Sequence, residues 1–171
     1  VGSEMCIRDS HGDYILYVCG KYLKENGRLE GNTVVATIMS NLGLFKALEK
    51  SGIDYLKTTV GDKYVNEAMV EHGYVLGGEQ SGHIIFSKHA TTGDGMLTAI
   101  MLMEVILEKK QSLHTLCENM KMYPQYLQNV RVIDKKAIIE NEAVQRKKHE
   151  IEKMLGENGR IILRESGTEP V

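Results

Sequence analysis

Apolar residues along the chain follow two alternating periods, one typical of helices and one typical of buried strands. Between residues 13 and 26 they recur at helical spacing, and Asn26-Gly27 supplies a helix stop. Residues 33–39 are apolar and rich in β-branched side chains, which is typical of a strand buried on both faces. Residues 42–50 then predict a helix that is capped by Ser40-Asn41.

The order of strand and helix repeats in the next segment. Residues 54–60 predict a second strand, Gly61-Asp62 a break and cap, and residues 63–72 a helix that stops at Gly73. Residues 74–86 predict a third strand region that polar residues interrupt. Strands that alternate with helices of about ten residues indicate βαβ units. The predicted fold class is therefore α/β, a three-layer domain with a mainly parallel sheet and flanking helices.

A later segment, residues 96–110, predicts a helix that is apolar nearly all round. Thr92 or Asp94 is expected to cap it, and a helix of this kind is expected at the centre of a fold. A shorter helix, residues 112–119, follows. We expect the methionines of the longer helix to fill the core: Met96, Met101 and Met103.

The pattern changes at Tyr123-Pro124, because proline ends any helix. Residues 126–133 and 160–163 predict strands, and Glu142–Leu155 predicts a helix with an apolar stripe opposite a solvated charged side. Two strands and one helix bury too little surface for a complete domain. Residues 123–171 are therefore expected to form an incomplete α+β domain.

The remaining residues complete the predicted domain organisation. Residues 1–10 show no helical or strand period and lack the apolar centre of a signal peptide, so we treat them as a non-native or disordered leader. Residues 11–122 form the predicted α/β domain.

Composition narrows the class of protein. The chain is 42% hydrophobic and 26% charged with a net charge of -2, which is typical of a soluble globular protein. Basic residues are scattered, so we expect no nucleic-acid partner. The longest apolar run, residues 96–107, is too short to cross a membrane. The separated Cys6, Cys19 and Cys117 favour free thiols in a reducing cytoplasm.

Candidate chemistry is concentrated within the third strand region. A carboxylate, a hydroxyl and an imidazole stand there among glycines that let a ligand approach the backbone. A β-hairpin with incidental polar residues explains the same stretch equally well. Ligands of parallel sheets bind beyond the carboxyl ends of strands, so Ser40-Asn41 and Gly61-Asp62-Lys63 are expected at the same edge. The stretch is Gly77-Gly78-Glu79-Gln80-Ser81-Gly82-His83.

A second polar cluster lies at the end of the sequence. An arginine fork, two hydroxyls and exposed amides are suited to binding a phosphate. A turn closed by its own Ser and Thr hydroxyls fits equally well. Together the two polar stretches indicate a phosphosugar ligand. The cluster is Arg164-Glu165-Ser166-Gly167-Thr168-Glu169-Pro170.

The two stretches resemble loops of the α-D-phosphohexomutases. Gly78-Glu79-Gln80-Ser81-Gly82-His83 resembles the sugar-recognition loop of their third domain, and Arg164 to Pro170 resembles the phosphate-binding loop of their fourth. Gln80 and Thr91-Thr92-Gly93-Asp94-Gly95 are most similar to the branch that acts on glucosamine phosphates. The likeness extends from about His11 to the end of the sequence.

The resemblance implies part of a four-domain cytoplasmic isomerase that interconverts glucosamine 6-phosphate and glucosamine 1-phosphate for cell-wall synthesis. In the family, a phosphoserine of the first domain donates its phosphoryl group, and Mg²⁺ held by an aspartate loop of the second domain assists. This sequence contains neither loop. The resemblance thus implies no metal ligand here, partners in the remaining domains of the same polypeptide, and a fragment that is inactive alone.

Roles for individual residues also follow from the resemblance. Glu79 and Ser81 are implied to hold sugar hydroxyls, and Lys63 to face the substrate. His83 is implied to lie near the reacting oxygen as a candidate for proton transfer, because imidazole exchanges protons near neutral pH. A histidine hydrogen-bonded within the strand and a surface lysine are the alternatives for His83 and Lys63. The residues implied to grip the non-reacting phosphate are Arg164, Ser166, Gly167 and Thr168.

Two other interpretations of function stay open. One is a phosphomannomutase or phosphoglucomutase of the same superfamily, which acts on mannose or glucose phosphates. The other is a non-catalytic module that binds a sugar phosphate, which predicts ligand binding by this chain alone. A hexosamine phosphate is the substrate that the resemblance favours.

Overall fold

The structure is a computed structural model that describes residues 11–165. It divides into two units, one that ends at Tyr123 and one that begins at Pro124. A 3₁₀ turn, Glu30–Asn32, precedes the first strand. The helices and strands of the first unit are α1 (Gly12–Glu25), β1 (Thr33–Thr37), α2 (Leu42–Lys50), β2 (Asp54–Thr58), α3 (Asp62–His72), β3 (Leu76–Gly78), β4 (Ile84–Phe86), α4 (Gly95–Lys109) and α5 (Leu113–Cys117).

Four strands form one sheet in the order β2-β1-β3-β4. Strand β1 runs parallel to both neighbours, with Val35 opposite Leu56 of β2 and Gly77 of β3. Strands β3 and β4 are antiparallel. The predicted mainly parallel sheet is confirmed, and the third strand region is a hairpin whose turn carries the polar stretch. Because β1, β2 and β3 are parallel, their carboxyl ends share one edge of the sheet.

Helices cover both faces of the sheet. On one face, Val34, Ala36 and Leu76 contribute to a core that also contains buried residues of α1, α2 and α4. On the other face, Val35 and Ile85 cluster with buried residues of α3. Alternate residues of a strand point to opposite faces, so an entirely buried β1 requires both layers. The predicted three-layer architecture is confirmed.

Side chains define where two of the helices begin. The Asn41 side chain accepts a hydrogen bond from Gly43 N–H at 2.9 Å and caps α2. Asp94 Oδ1 accepts from the amides of Met96 and Leu97 at 2.8 and 3.0 Å and caps α4. Of the two residues predicted to cap α4, Asp94 is therefore the cap, since its oxygen satisfies amides that have no partner within the helix.

Helix α4 differs from its prediction. Its buried residues are Thr98, Met101 and Val105 only. The central position expected for it is wrong, and so is the core position expected for Met96 and Met103, which are 79% and 53% exposed. The reason is geometric: α4 contacts α1 and β4, which together lie along one side of the helix.

The second unit contains helices, and none of its residues from 124 to 165 is fully buried. They are α6 (Lys135–Ile139) and α7 (Glu142–Leu155), followed by a 3₁₀ turn at Gly156–Asn158. The predicted α7 is confirmed. On its charged side, Arg146, Lys147, Glu150 and Lys153 are exposed as expected, whereas Lys148 is half-buried.

The two strands predicted for the second unit are wrong. Residues 126–133 and 160–163 form no strand in the structure. A strand requires a paired neighbour, and no ladder involves the described part of this unit. Over residues 11–165, no helix combines the length and apolar character that crossing a membrane demands.

Candidate functional site

The turn between β3 and β4, residues 79–83, is called the Glu79 turn. Glu79 N–H donates to the His83 carbonyl, and Gly82 N–H donates to the Glu79 carbonyl, both at 3.0 Å. These bonds close the turn directly beyond the carboxyl end of β3. The polar stretch therefore lies where ligands of parallel sheets bind.

Gly61 fixes the carboxylate of Glu79. Its N–H donates to Glu79 Oε1 at 2.9 Å, and the Glu79 side chain is only 13% exposed. Gly61 has a φ of +129°, a conformation that residues with a side chain rarely adopt. A carboxylate offers about four acceptor positions. One of these is used by Gly61, which anchors the group and leaves acceptor capacity for hydroxyl donors.

Ser81 and His83 lie beside the Glu79 carboxylate. Ser81 Oγ lies 3.1 Å from His83 Nδ1, and Glu79 Oε2 lies 4.0 Å from the same nitrogen. The His83 side chain is 63% exposed. The structure thus brings three of the predicted site residues together, with the imidazole open to a ligand.

Helix α1 begins against the Glu79 turn. Gly12 N–H donates to the Gln80 carbonyl at 3.0 Å, and a Cβ at position 12 would lie 2.2 Å from the Glu79 carbonyl oxygen. The buried Asp13 accepts the Asn41 N–H through Oδ2 at 2.6 Å. These contacts place the start of α1, the β1–α2 junction and the Glu79 turn at one edge, which confirms the expected convergence.

The sequence patterns did not predict the roles of Gly12 and Asp13. An acidic residue in the first turn of a helix is common, because it interacts favourably with the helix dipole. That explanation gives no reason to expect a fully buried carboxylate such as Asp13. The available signal was a glycine directly before an acidic residue at a helix start.

Within residues 11–165, two other side chains named from the sequence form no hydrogen bond or ion pair with Glu79, Ser81 or His83: Lys63, a predicted site residue, and Gln80, a residue of the resemblance. Lys63 Nζ lies 3.7 Å from Glu67, and its side chain is 74% exposed. The side-chain oxygen of Gln80 is buried and has no hydrogen-bond partner within residues 11–165. The backbone carbonyl of Gln80 accepts from Gly12 N–H.

The predicted phosphate cluster belongs to the second unit. The exposed Arg164 donates through Nη1 to the Glu165 carbonyl at 3.3 Å. Ser166, Gly167 and Thr168 lie outside the described residues. As for metals, residues 11–165 contain no group of three or more His, Cys, Asp or Glu side chains suited to hold an ion.

Family models match both units. A model described as "Phosphoglucomutase/phosphomannomutase, alpha/beta/alpha domain III" matches residues 11–123. A model described as "Phosphoglucomutase/phosphomannomutase, C-terminal domain" matches residues 127–171. The two matches therefore come from one family and follow one another along the chain.

Curated proteins and a solved structure are also similar to this chain. The phosphoglucosamine mutases of Lachnoclostridium phytofermentans and Geobacillus kaustophilus are 58% and 56% identical to it over 94% of its length. The chain spans only 36% of the length of each. The X-ray structure of a phosphoglucomutase/phosphomannomutase family protein from Burkholderia thailandensis superimposes with a TM-score of 0.54 at 23% identity, over 65% of this chain and 24% of that one. That likeness supports the fold.

Proposed function

The chain belongs to the phosphoglucomutase/phosphomannomutase family, and we propose that it is part of a phosphoglucosamine mutase, which interconverts glucosamine 6-phosphate and glucosamine 1-phosphate. The observation that carries this proposal is the Glu79 carboxylate, anchored by Gly61 beside Ser81 and His83. Relatives named phosphoglucosamine mutase, at 54–58% identity, support the choice of an amino sugar.

Glu79 and Ser81 bind the sugar in this proposal. The carboxylate accepts hydrogen bonds from two adjacent hydroxyls, while its bond from Gly61 N–H limits rotation of the group. A site that is ordered before the ligand arrives loses less entropy on binding. The Ser81 hydroxyl contacts a further hydroxyl and orients the His83 ring at the same time.

His83 moves a proton at the reacting oxygen. Phosphoryl transfer to a sugar hydroxyl requires that the hydroxyl proton be removed, and an imidazole can accept it. Glu79 Oε2 lies 4.0 Å from Nδ1 of this ring, so the carboxylate and the imidazole can act on one bound sugar. His83 is sufficiently exposed to reach a bound sugar.

The phosphate end of the substrate is assigned to the second unit. We infer that Arg164, Ser166, Gly167 and Thr168 bind the non-reacting phosphate, since a guanidinium fork and hydroxyls match phosphate oxygens. Lys63 is proposed to add positive charge near the substrate. This assignment rests on the sequence of the cluster.

The rest of the reaction requires polypeptide beyond this chain. The proposed phosphoserine and the ligands of Mg²⁺ lie in other domains, and residues 11–165 offer no fitting metal site. We therefore assign no step of this chain to a metal and expect the chain alone to be inactive. A cytoplasmic location agrees with Cys19 and Cys117, which are buried as thiols.

The test uses the intact protein encoded by the gene. Glu79→Gln is expected to lower kcat/KM for glucosamine 6-phosphate by about 10- to 100-fold, because it removes charged hydrogen bonds to the sugar. The amide oxygen still accepts from Gly61, so the turn is retained. The matched control is Glu71→Gln, an exposed acid of α3, which should leave kcat/KM unchanged.

The same assay separates the competing functions. A preference for glucosamine phosphate over mannose and glucose phosphates supports the proposal. Equal turnover of glucose and glucosamine phosphates would place the protein in another branch of the superfamily. Binding of sugar phosphate with no turnover by the intact protein would indicate a non-catalytic module.

A further inference from the structure

One face of α4 is apolar and exposed. Its four large side chains are spaced by four, three and four residues, which places them in one row on a helix. At 1.5 Å per residue the row is about 16 Å long. A contiguous apolar row of this kind indicates a contact surface, whereas single exposed apolar residues are ordinary. The row, called the α4 stripe, comprises Met96, Ile100, Met103 and Leu107, which are between 53% and 79% exposed.

The opposite face of α4 is held firmly by α1. Tyr22 Oη donates to Glu104 Oε1 at 3.0 Å, and Lys109 Nζ lies 2.5 Å from Glu25 Oε2. Met101, one turn before Glu104, is buried on the same side. Because α4 is fixed in this way, the stripe cannot turn inward without breaking both contacts, and it faces away from the core.

We propose that the α4 stripe is the docking surface for the domain that precedes residue 11 in the intact protein. The matched family models are domain III and the C-terminal domain, so two numbered domains come before this chain in the family. The chain spans 36% of its relatives' length, which leaves ample polypeptide for them.

The path of the chain places that domain near the stripe. Helix α1 begins at Gly12 and α4 begins at Gly95, and Tyr22 of α1 pairs with Glu104 at a similar distance along α4. The two helices are therefore parallel neighbours that begin at the same edge of the sheet. Gly12, where α1 begins, therefore lies at the same edge as the first turn of α4, which contains Met96.

The size of the stripe favours a tethered partner over a second copy. Stable contacts between separate chains bury about 800 Å² on each side, from roughly 20–30 residues. Four large side chains on one helix form a smaller surface. A domain on the same polypeptide has an effective concentration of about millimolar or more, so a modest apolar contact is sufficient.

Thiol labelling tests the proposal, and mass spectrometry of the peptide that carries each introduced cysteine separates its signal from that of every native thiol. Ile100→Cys reports on the stripe, and Val70→Cys, on the exposed side of α3, is the matched control because Val70 is 70% exposed. The native Cys19 and Cys117 are both buried, and burial raises the pKa of the Cys19 thiol to about 12, so neither should contribute to the rate at the introduced position. The rate of reaction with a water-soluble maleimide is measured in the 171-residue chain and in the intact protein.

We expect position 100 to react at least about tenfold more slowly in the intact protein, with position 70 unchanged, since a thiol must be accessible to react. Equal rates at position 100 would overturn the proposal. Protection of position 100 in the 171-residue chain would also overturn it. Protection that increases with protein concentration would indicate a second copy, and protection that is independent of concentration would indicate another segment of this chain. A gene that encodes no preceding domain would also overturn it. None of these readouts depends on mutase activity.

Discussion

Helices α1 and α7 each contain 14 residues, yet they are stabilised differently. Helix α1 buries most of its length, including the fully buried Leu16 and Tyr17. Helix α7 buries none of its residues. Ion pairs within the helix join Lys147 to Glu150 and Lys148 to Glu152.

This difference shows how much stability the interactions within a single helix provide. Exposed ion pairs within a helix contribute about 0.3–0.5 kcal/mol each, and isolated helices of this length are marginal in water. Burial of a single large apolar side chain contributes about 1.5–3 kcal/mol. The first unit is therefore expected to be cooperative and stable, while α7 depends on local interactions.

Limited proteolysis should show the largest contrast between the units. We expect cleavage first in residues from Pro124 onward, with a resistant core from about residue 13 to 119, because proteases cut segments that open easily. Mass spectrometry of early fragments measures this. Equal protection of both segments would contradict the expected difference.

The second largest contrast is expected from substitutions in α1 and α7, which should lower the free energy of unfolding by different amounts. Leu16→Ala leaves a cavity in the core and is expected to lower the free energy of unfolding by about 2–5 kcal/mol. Ile151→Ala, at a half-buried position of α7, is expected to lower it by about 1 kcal/mol or less. Urea denaturation followed by circular dichroism measures both. Losses of similar size would mean that α7 shares a core.

The sequence predicted the first unit well because local and tertiary preferences agree there. Strand β1 is a run of β-branched and small residues that is buried on both faces, and its composition shows this directly. Helix α4 is harder to predict, because apolar residues all round fit either a central helix or a helix with a contact face. In the second unit, the segments predicted as strands have apolar residues but no pairing partner among the described residues, and composition does not reveal a missing partner.

Only part of the candidate site was predicted, because some of its contacts lie within one turn and another comes from a separate loop. Glu79, Ser81 and His83 lie within five residues of one another, so a single turn was enough to join them. The donor that fixes Glu79 comes from Gly61, on a different loop. A backbone amide has no signature in the sequence, so its partner becomes visible only when β2 and β3 are placed in one sheet.

The smallest expected effect concerns the cap of α7. Asn141 Oδ1 accepts from the amides of Ala143 and Val144 at 3.0 and 3.3 Å, and Asn141→Ala should destabilise the helix by about 1 kcal/mol. Amide hydrogen exchange should rise in the first turn of α7 and stay unchanged in α1, because the bonds that are lost are local. Asn141→Asp keeps an acceptor and is expected to preserve protection. Faster exchange in α1 after Asn141→Ala would show that the two helices unfold together, and the contrast between them would then fail.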